Sequence, residues 1–152
     1  MAASSVQFER YSAAHRAGCL AVFDSNREPF FAVSERAEFE TFLDQHTAES
    51  YYAVVLEDGA VVACGGFGEF DGRLALTWGM VQRAAHRNRY GTLLLAHRLE
   101  ALRRVHGSEP VYINTSQHTE GFFAKHGFRT LAVKADGFAP GLHKVSMVRD
   151  GD

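Results

Sequence analysis

Two apolar, β-rich runs flank Asp58-Gly59 and a third follows Asp71-Gly72, which makes residues 51–81 the most strongly patterned stretch of the chain. Aromatic and β-branched residues crowd these runs, and each turn dipeptide favours a tight hairpin. The pattern predicts a three-stranded meander. Its third run, LALTWGMV (74–81), carries Gly79 near its end, where a strand glycine marks a bulge or a close approach to the backbone, or else room for Trp78 to pack. Upstream, VQFERY (6–11) alternates at Val6 and Phe8 as a short strand, SAAHRAGCLAVFD (12–24) has a weaker helical period interrupted by Gly18, and DSNREPFF (24–31) is a loop. Ser34 as N-cap, Glu35 in the first turn, and Phe39, Phe42, Leu43 and His46 at helical spacing predict an amphipathic helix over 34–47.

Downstream, LLLAHRLEALRRV (93–105) repeats Leu95, Leu99 and Leu102, then His106, at the helical period. That assignment puts Arg98, Arg103 and Arg104 on the opposite side, reads His97 and His106 as surface or C-terminal histidines, and takes Gly107 as the stop. VYINT (111–115) is a buried strand. SQHTEGFFAKH (116–126) is a short helix opened by a Thr/Ser cap and closed by Gly127, and strands at 128–134 and 142–149 flank a loop, ADGFAPG.

With 152 residues, 46% apolar and 22% charged, the chain fits one soluble globular domain, 1–152, with no linker or repeat. There is no run of about 18 apolar residues and no basic-then-apolar leader, so the expected location is cytoplasmic. Cys19 and Cys64 each lie in an apolar segment and read as free buried thiols. A net charge of −2 gives no broad basic field, which argues against a nucleic-acid binder, and no histidine or cysteine cluster has metal-ligand spacing.

Against that balance, HRNRYGT (86–92) concentrates positive charge where a strand hands over to a helix. A helix N-terminus presents unpaired N–H groups and the positive end of the macrodipole, so flanking cations strengthen a phosphate site there. Arg87 and Arg89 supply the cations, and Gly91 permits positive φ or close backbone approach. An ordinary solvated turn is the alternative.

Strand, basic turn with glycine, helix, strand, then a short helix ending in FFAKHGF (122–128) resembles the GNAT acetyltransferase superfamily over nearly the whole chain. The resemblance implies an α/β (α+β) fold: a mixed, mostly antiparallel twisted sheet of about six to seven strands flanked by about four helices. In that family the turn after the fourth strand carries Gln/Arg-x-x-Gly-x-Gly/Ala and grips the pyrophosphate of acetyl-CoA. The gapless match is His86, Arg87, Asn88, Arg89, Tyr90 and Gly91, followed by Thr92, with His at the first position and Arg89 where the first glycine stands. The family's Tyr-x-x-x-Gly-Phe becomes Phe123 through Gly127-Phe128.

The resemblance further implies that the pantetheine arm pairs with the backbone of the fourth strand at Met80 and Val81, and that Ser116 and Phe123 lie against the cofactor. Phe123 cannot donate the proton that the family's tyrosine gives. Ser116, His118 and Tyr112 are the candidate acids, each with a plainer use as helix cap, surface histidine or core tyrosine. Glu69 and His143 are candidate bases, with Asp71 beside Glu69. The acceptor side is expected at DSNREPFF, with Asp24 and Glu28 attracting an ammonium and Phe30 and Phe31 walling a pocket, or only anchoring the loop; GFAPG (137–141) is a second wall. The expected activity is an acetyl-CoA-dependent N-acetyltransferase acting on a small-molecule primary amine, with no metal, no membrane and no nucleic acid. A homodimer is left open. A non-catalytic acyl-CoA-binding or sensing module is the alternative.

Overall fold

The computed structural model describes residues 6–27, 29–86 and 89–151. Seven strands form one sheet in the order β1-β2-β3-β4-β5-β7-β6: β1 (Val6–Arg10), β2 (Tyr51–Glu57), β3 (Ala60–Phe70), β4 (Arg73–Val81), β5 (Val111–Thr115), β6 (Arg129–Ala139) and β7 (Leu142–Arg149). Every neighbouring pair is antiparallel except β4 and β5, which run parallel. Among the described residues there are four α-helices: α1 (Arg16–Ser25), α2 (Glu35–Gln45), α3 (Tyr90–His106) and α4 (Glu120–Lys125). The sequence-based class, strand count and helix count hold. No described helix is long and apolar enough to cross a membrane.

The burial of each strand follows its place. Residues 52–56 of β2 are buried on both faces, as suits a central strand read from a continuous apolar run, whereas the edge strand β1 is almost wholly exposed. The meander over 51–81 forms as expected, with Asp58 and Asp71 at positive φ in its two turns.

One face of the sheet carries α1 and α2, whose Cys19, Val22, Phe23, Phe39 and Leu43 pack on Tyr52, Val54, Cys64 and Met80. The other carries α3 and α4, where Leu95, Leu102 and Phe123 meet Phe67, Leu76, Ile113 and Val145. Both cysteines are free and buried, as expected.

Four boundaries differ from the sequence reading, one of them that of α4, which begins at Glu120 rather than residue 116 because residues 116–119 form the turn that leads into it. Residues 13–15 form a 3-10 turn and α1 begins only at Arg16. α3 begins at Tyr90 rather than residue 93, because Arg89 adopts a left-handed conformation and ends the turn there. The segment 135–139 is strand, not loop: β6 continues past a register irregularity between Lys134 and Ala139. Asp136, at φ 56°, absorbs that irregularity, its Oδ1 accepting the Gly141 N–H at 2.7 Å and its own N–H donating to His143 Nδ1 at 3.0 Å.

Candidate functional site

β4 and β5 pair only at Leu74–Val111 and Ala75–Tyr112, and then part. The cause lies in β4. From the Cys64–Met80 pair to the Gly66–Thr77 pair, β3 advances two residues while β4 spends three, so Trp78 and Gly79 form a bulge. Trp78 carries φ +40°, an uncommon conformation for a bulky residue. Packing and a hydrogen bond hold it: the indole lies among the rings of Phe31, Phe39 and Phe42, and Tyr52 Oη donates to the Trp78 carbonyl at 2.7 Å. Bent by this bulge, β4 leaves a cleft of about 1020 Å3 beside its free edge. It runs through the sheet, from Gly91, Leu94, Arg98 and Phe122 on the α3 face to Phe30, Glu35 and Glu38 on the α2 face.

At the α3 end, Arg89 stands as N-cap at φ 64°, ψ 14° and exposes its side chain. The left-handed conformation that a glycine would take here is taken by an arginine. Gly91 is helical; a Cβ there would sit 3.5 Å from the Phe122 ring, so it meets the cleft without requiring glycine's positive φ. His86 turns back, with Nε2 2.8 Å from the Val81 carbonyl, and its ring lies edge-on to Phe30 at 5.2 Å. The same carbonyl accepts Asn26 Nδ2 at 2.7 Å, and Nδ2 also donates to the Val22 carbonyl at 2.9 Å. Asn26 is 2% exposed.

Arg98 corrects an expectation. It is not on the solvent side of α3 but 3% exposed, lining the cleft. Its guanidinium lies over Gly65 and Gly79, where a Cβ on Gly79 would fall 2.7 Å from Nη1. Nη1 has one long contact, 3.5 Å to the Gly66 carbonyl, and Nε has no partner. Burial pushes its pKa down to about 10, so it stays protonated at neutral pH. Thr77 Oγ1, also in the cleft wall, is the other buried side-chain atom without a partner among the described residues.

Residues 19–128 match the family described as Acetyltransferase (GNAT) family. The chain belongs to that family. No curated protein matches it in sequence. Among solved structures, a GNAT-family protein from Desulfovibrio desulfuricans superposes with TM-score 0.82 at 21% identity, covering 96% of this chain and 99% of that one. The ribosomal-protein-S18-alanine N-acetyltransferase of Escherichia coli gives 0.78 at 11% identity, over 97% and 95%. An aminoglycoside 6'-N-acetyltransferase complexed with coenzyme A gives 0.73 at 13%, over 95% and 96%. At these identities the likeness is one of fold.

The GNAT cleft gathers some of the sequence-derived candidates and leaves others out. Met80, Val81, His86, Gly91, Ser116, His118, Tyr112, Phe123, Phe30 and Phe31 line it. Ser116 is 5% exposed and starts the turn into α4: its carbonyl accepts the Thr119 and Glu120 amides and its Oγ accepts the His118 N–H at 3.2 Å. His118 is exposed, its ring 5.9 Å from Phe30. Tyr112 lies where β4 and β5 still pair, with the Arg73 guanidinium 4.7 Å above its ring.

Six candidates lie outside that lining: Arg89, described above, and five others. Tyr90 packs under the β2–β3 hairpin with Val55, Ala63 and Leu94, since the first residue of α3 faces the sheet. Thr92 is exposed in the same turn, outside the cleft lining. Asp24 is held by Arg36 at 2.8 and 3.2 Å, and this ion pair, which keeps its carboxyl below the usual range, ties α1 to α2. Glu69 is exposed at the far end of β3, opposite Leu74 and away from the bulge, and neighbouring Asp71 sits in the turn after it. His143 binds back into the β6–β7 hairpin through Asp136. Glu28, Arg87 and Asn88 lie outside the described residues.

Among the described residues, the carboxylates that do line the cleft are Glu35 and Glu38 on α2. Glu35 is 8% exposed, accepts the Ala32 N–H at 2.8 Å, and has its pKa raised chiefly by burial, with Glu38 adding to the effect. The sequence signal was present: both residues precede Phe39 and Phe42 in the first turn of an amphipathic helix, on the flank of its buried stripe. Among the described residues no group of histidines, cysteines and carboxylates could hold a metal.

Proposed function

We propose that this protein transfers an acetyl group from acetyl-CoA to the primary amine of a small molecule, by direct attack within a ternary complex. One observation carries the reading: the cleft crosses the sheet along the unpaired edge of β4, so donor and acceptor enter from opposite faces and meet at the Trp78–Gly79 bulge. An extended pantetheine arm adds to that edge as a strand would. At Val81 the amide is the natural partner, because the carbonyl already accepts Asn26 and His86. The α3 N-terminus, with Arg89 beside it, takes the pyrophosphate.

On the α2 face, Glu35 and Glu38 draw in the ammonium, and Glu35, its pKa raised, is suited to accept the proton that the amine sheds. Phe30 and Phe31 wall the acceptor pocket, and Ser116 and His118 stand on the β5 side as hydrogen-bond donors. The nitrogen bonds to the thioester carbon, the C–S bond breaks, and CoA leaves.

Incubation with acetyl-CoA and a panel of primary amines is expected to release thiol with at least one of them. CoA binding without turnover across the panel would instead favour the sensing module, the reading that Phe123 in the tyrosine position motivates. A second test isolates the phosphate grip. A non-glycine residue in the left-handed region costs about 1 kcal/mol, so Arg89→Gly should unfold no more easily than the wild type. Its CoA affinity should fall roughly five- to tenfold through loss of one charge-assisted contact. Affinity for pantetheine, which lacks the pyrophosphate, should not change, and an equal loss for both ligands would remove Arg89 from the phosphate site.

A further inference from the structure

Arg98 is a buried cation to which the described residues bring no counter-charge. Among the described residues no carboxylate pairs with it. The titratable groups that face it are Tyr52 of β2, whose buried hydroxyl is pushed well above its ordinary range, the thiol of Cys64 of β3, and His97 of its own helix, which it disfavours as a cation. Its hydrogen bonding amounts to one 3.5 Å contact at Nη1, with Nε unused. A buried group this poorly partnered weakens a protein unless something else uses it.

The chain also makes room for this charge. Gly65 and Gly79, from two different strands, are bare where the guanidinium lies: added Cβ atoms would fall 3.3 Å from Cζ and 2.7 Å from Nη1. Gly79 belongs to the bulge that opens the cleft, so the cation stands at the middle of the cleft and not at its mouth.

An anion does arise in that place during acetyl transfer. The ammonium first gives one proton to Glu35 to free its lone pair; attack then puts negative charge on the carbonyl oxygen, the electron pair of the breaking C–S bond leaves on sulfur, and the second proton of the nitrogen passes to solvent. Where the family's tyrosine would protonate the sulfur, this chain has Phe123, which has no proton to give. We propose that Arg98 stabilises the negative charge that develops on the thioester oxygen and sulfur, doing by charge what a tyrosine does by proton donation. The inference rests on the acetyl-CoA reading. Gly79 leaves no side chain between guanidinium and cleft, and the low-dielectric surroundings strengthen the interaction.

The direct test is the ionisation of the CoA thiol in the bound state, followed by the ultraviolet absorbance of the thiolate, in the wild type, Arg98→Met and Arg98→Lys. With the wild type the bound thiol should titrate roughly one pH unit or more below its value on Arg98→Met, the size expected for an opposite charge close by. Arg98→Lys, which keeps a cation, should fall between them, and it serves alone if the Met variant does not fold. Turnover by Arg98→Met should drop on the order of a hundredfold, with KM for acetyl-CoA nearly unchanged. A thiol that titrates identically on all the proteins while CoA remains bound would overturn the inference and leave the acetyl-CoA reading standing. Failure of the wild type to bind CoA would overturn both.

Discussion

Gly66→Ala is expected to destroy the cooperative unfolding transition of this protein. An added Cβ would lie 1.9 Å from the Tyr51 carbonyl oxygen and 2.8 Å from Cδ1 of Tyr52. The first of these is backbone in the paired strand, and it cannot swing away as a side chain can. Gly66 pairs with Tyr52 on one side and Thr77 on the other, at the centre of the sheet. Relief therefore requires β2 and β3 to separate beside the tyrosine whose hydroxyl fixes the bulge. Overpacking of this kind sits at the extreme of single substitutions, about 4 kcal/mol or more. Gly121→Ala is the control. It lies within α4 with nothing near its missing Cβ, and it should gain a few tenths to about 1 kcal/mol from helix propensity. Denaturant melts of the two variants measure the contrast, and a Gly66→Ala protein that melts like the wild type would refute this register.

Arg98→Met should move stability the other way. Burial that pushes the guanidinium down to about 10 weighs roughly 3 kcal/mol against the charged form. The sign follows from proton binding. The folded chain releases this proton near pH 10, while the unfolded chain holds it to the higher, ordinary value. Below pH 10 both states are protonated and the penalty is complete; above it the unfolded state binds more protons, so the folded state gains as pH rises. Removing the charge should thus stabilise the neutral-pH protein by about 2 kcal/mol, roughly 4–8 °C in melting temperature. The difference between wild type and variant should shrink as pH passes 10. A variant that melts below the wild type at neutral pH would show the guanidinium to be a structural brace. Higher stability together with slower turnover is the pattern of a charge kept for function.

The meander, the amphipathic α2 and the basic turn before α3 were legible because each is a local pattern: period two, period 3.6, or charge at a helix start. Arg98 was misplaced although its spacing was informative. Leu94, Leu95, Arg98 and Leu102 share one stripe of α3, and only the charge of Arg98 argues for the opposite side. What overrides that argument is a cradle of Gly65 and Gly79, on strands distant in sequence. Asp24 and His143 failed for a related reason: their partners, Arg36 and Asp136, are brought to them by packing and by an irregular hairpin. β6 ran on into ADGFAPG as far as Ala139 because Asp136 tolerates positive φ, so only its last two residues form the turn.

The amide of Asn26 has a mechanical consequence. It grips the last turn of α1 with one hydrogen bond and the end of β4 with another, and the carbonyl at that end also holds His86, just before α3. The helix behind the acceptor wall and the turn leading to the phosphate site thus meet at one oxygen atom. A displacement of α1 would load that joint first, so the two walls of the cleft share a common pin.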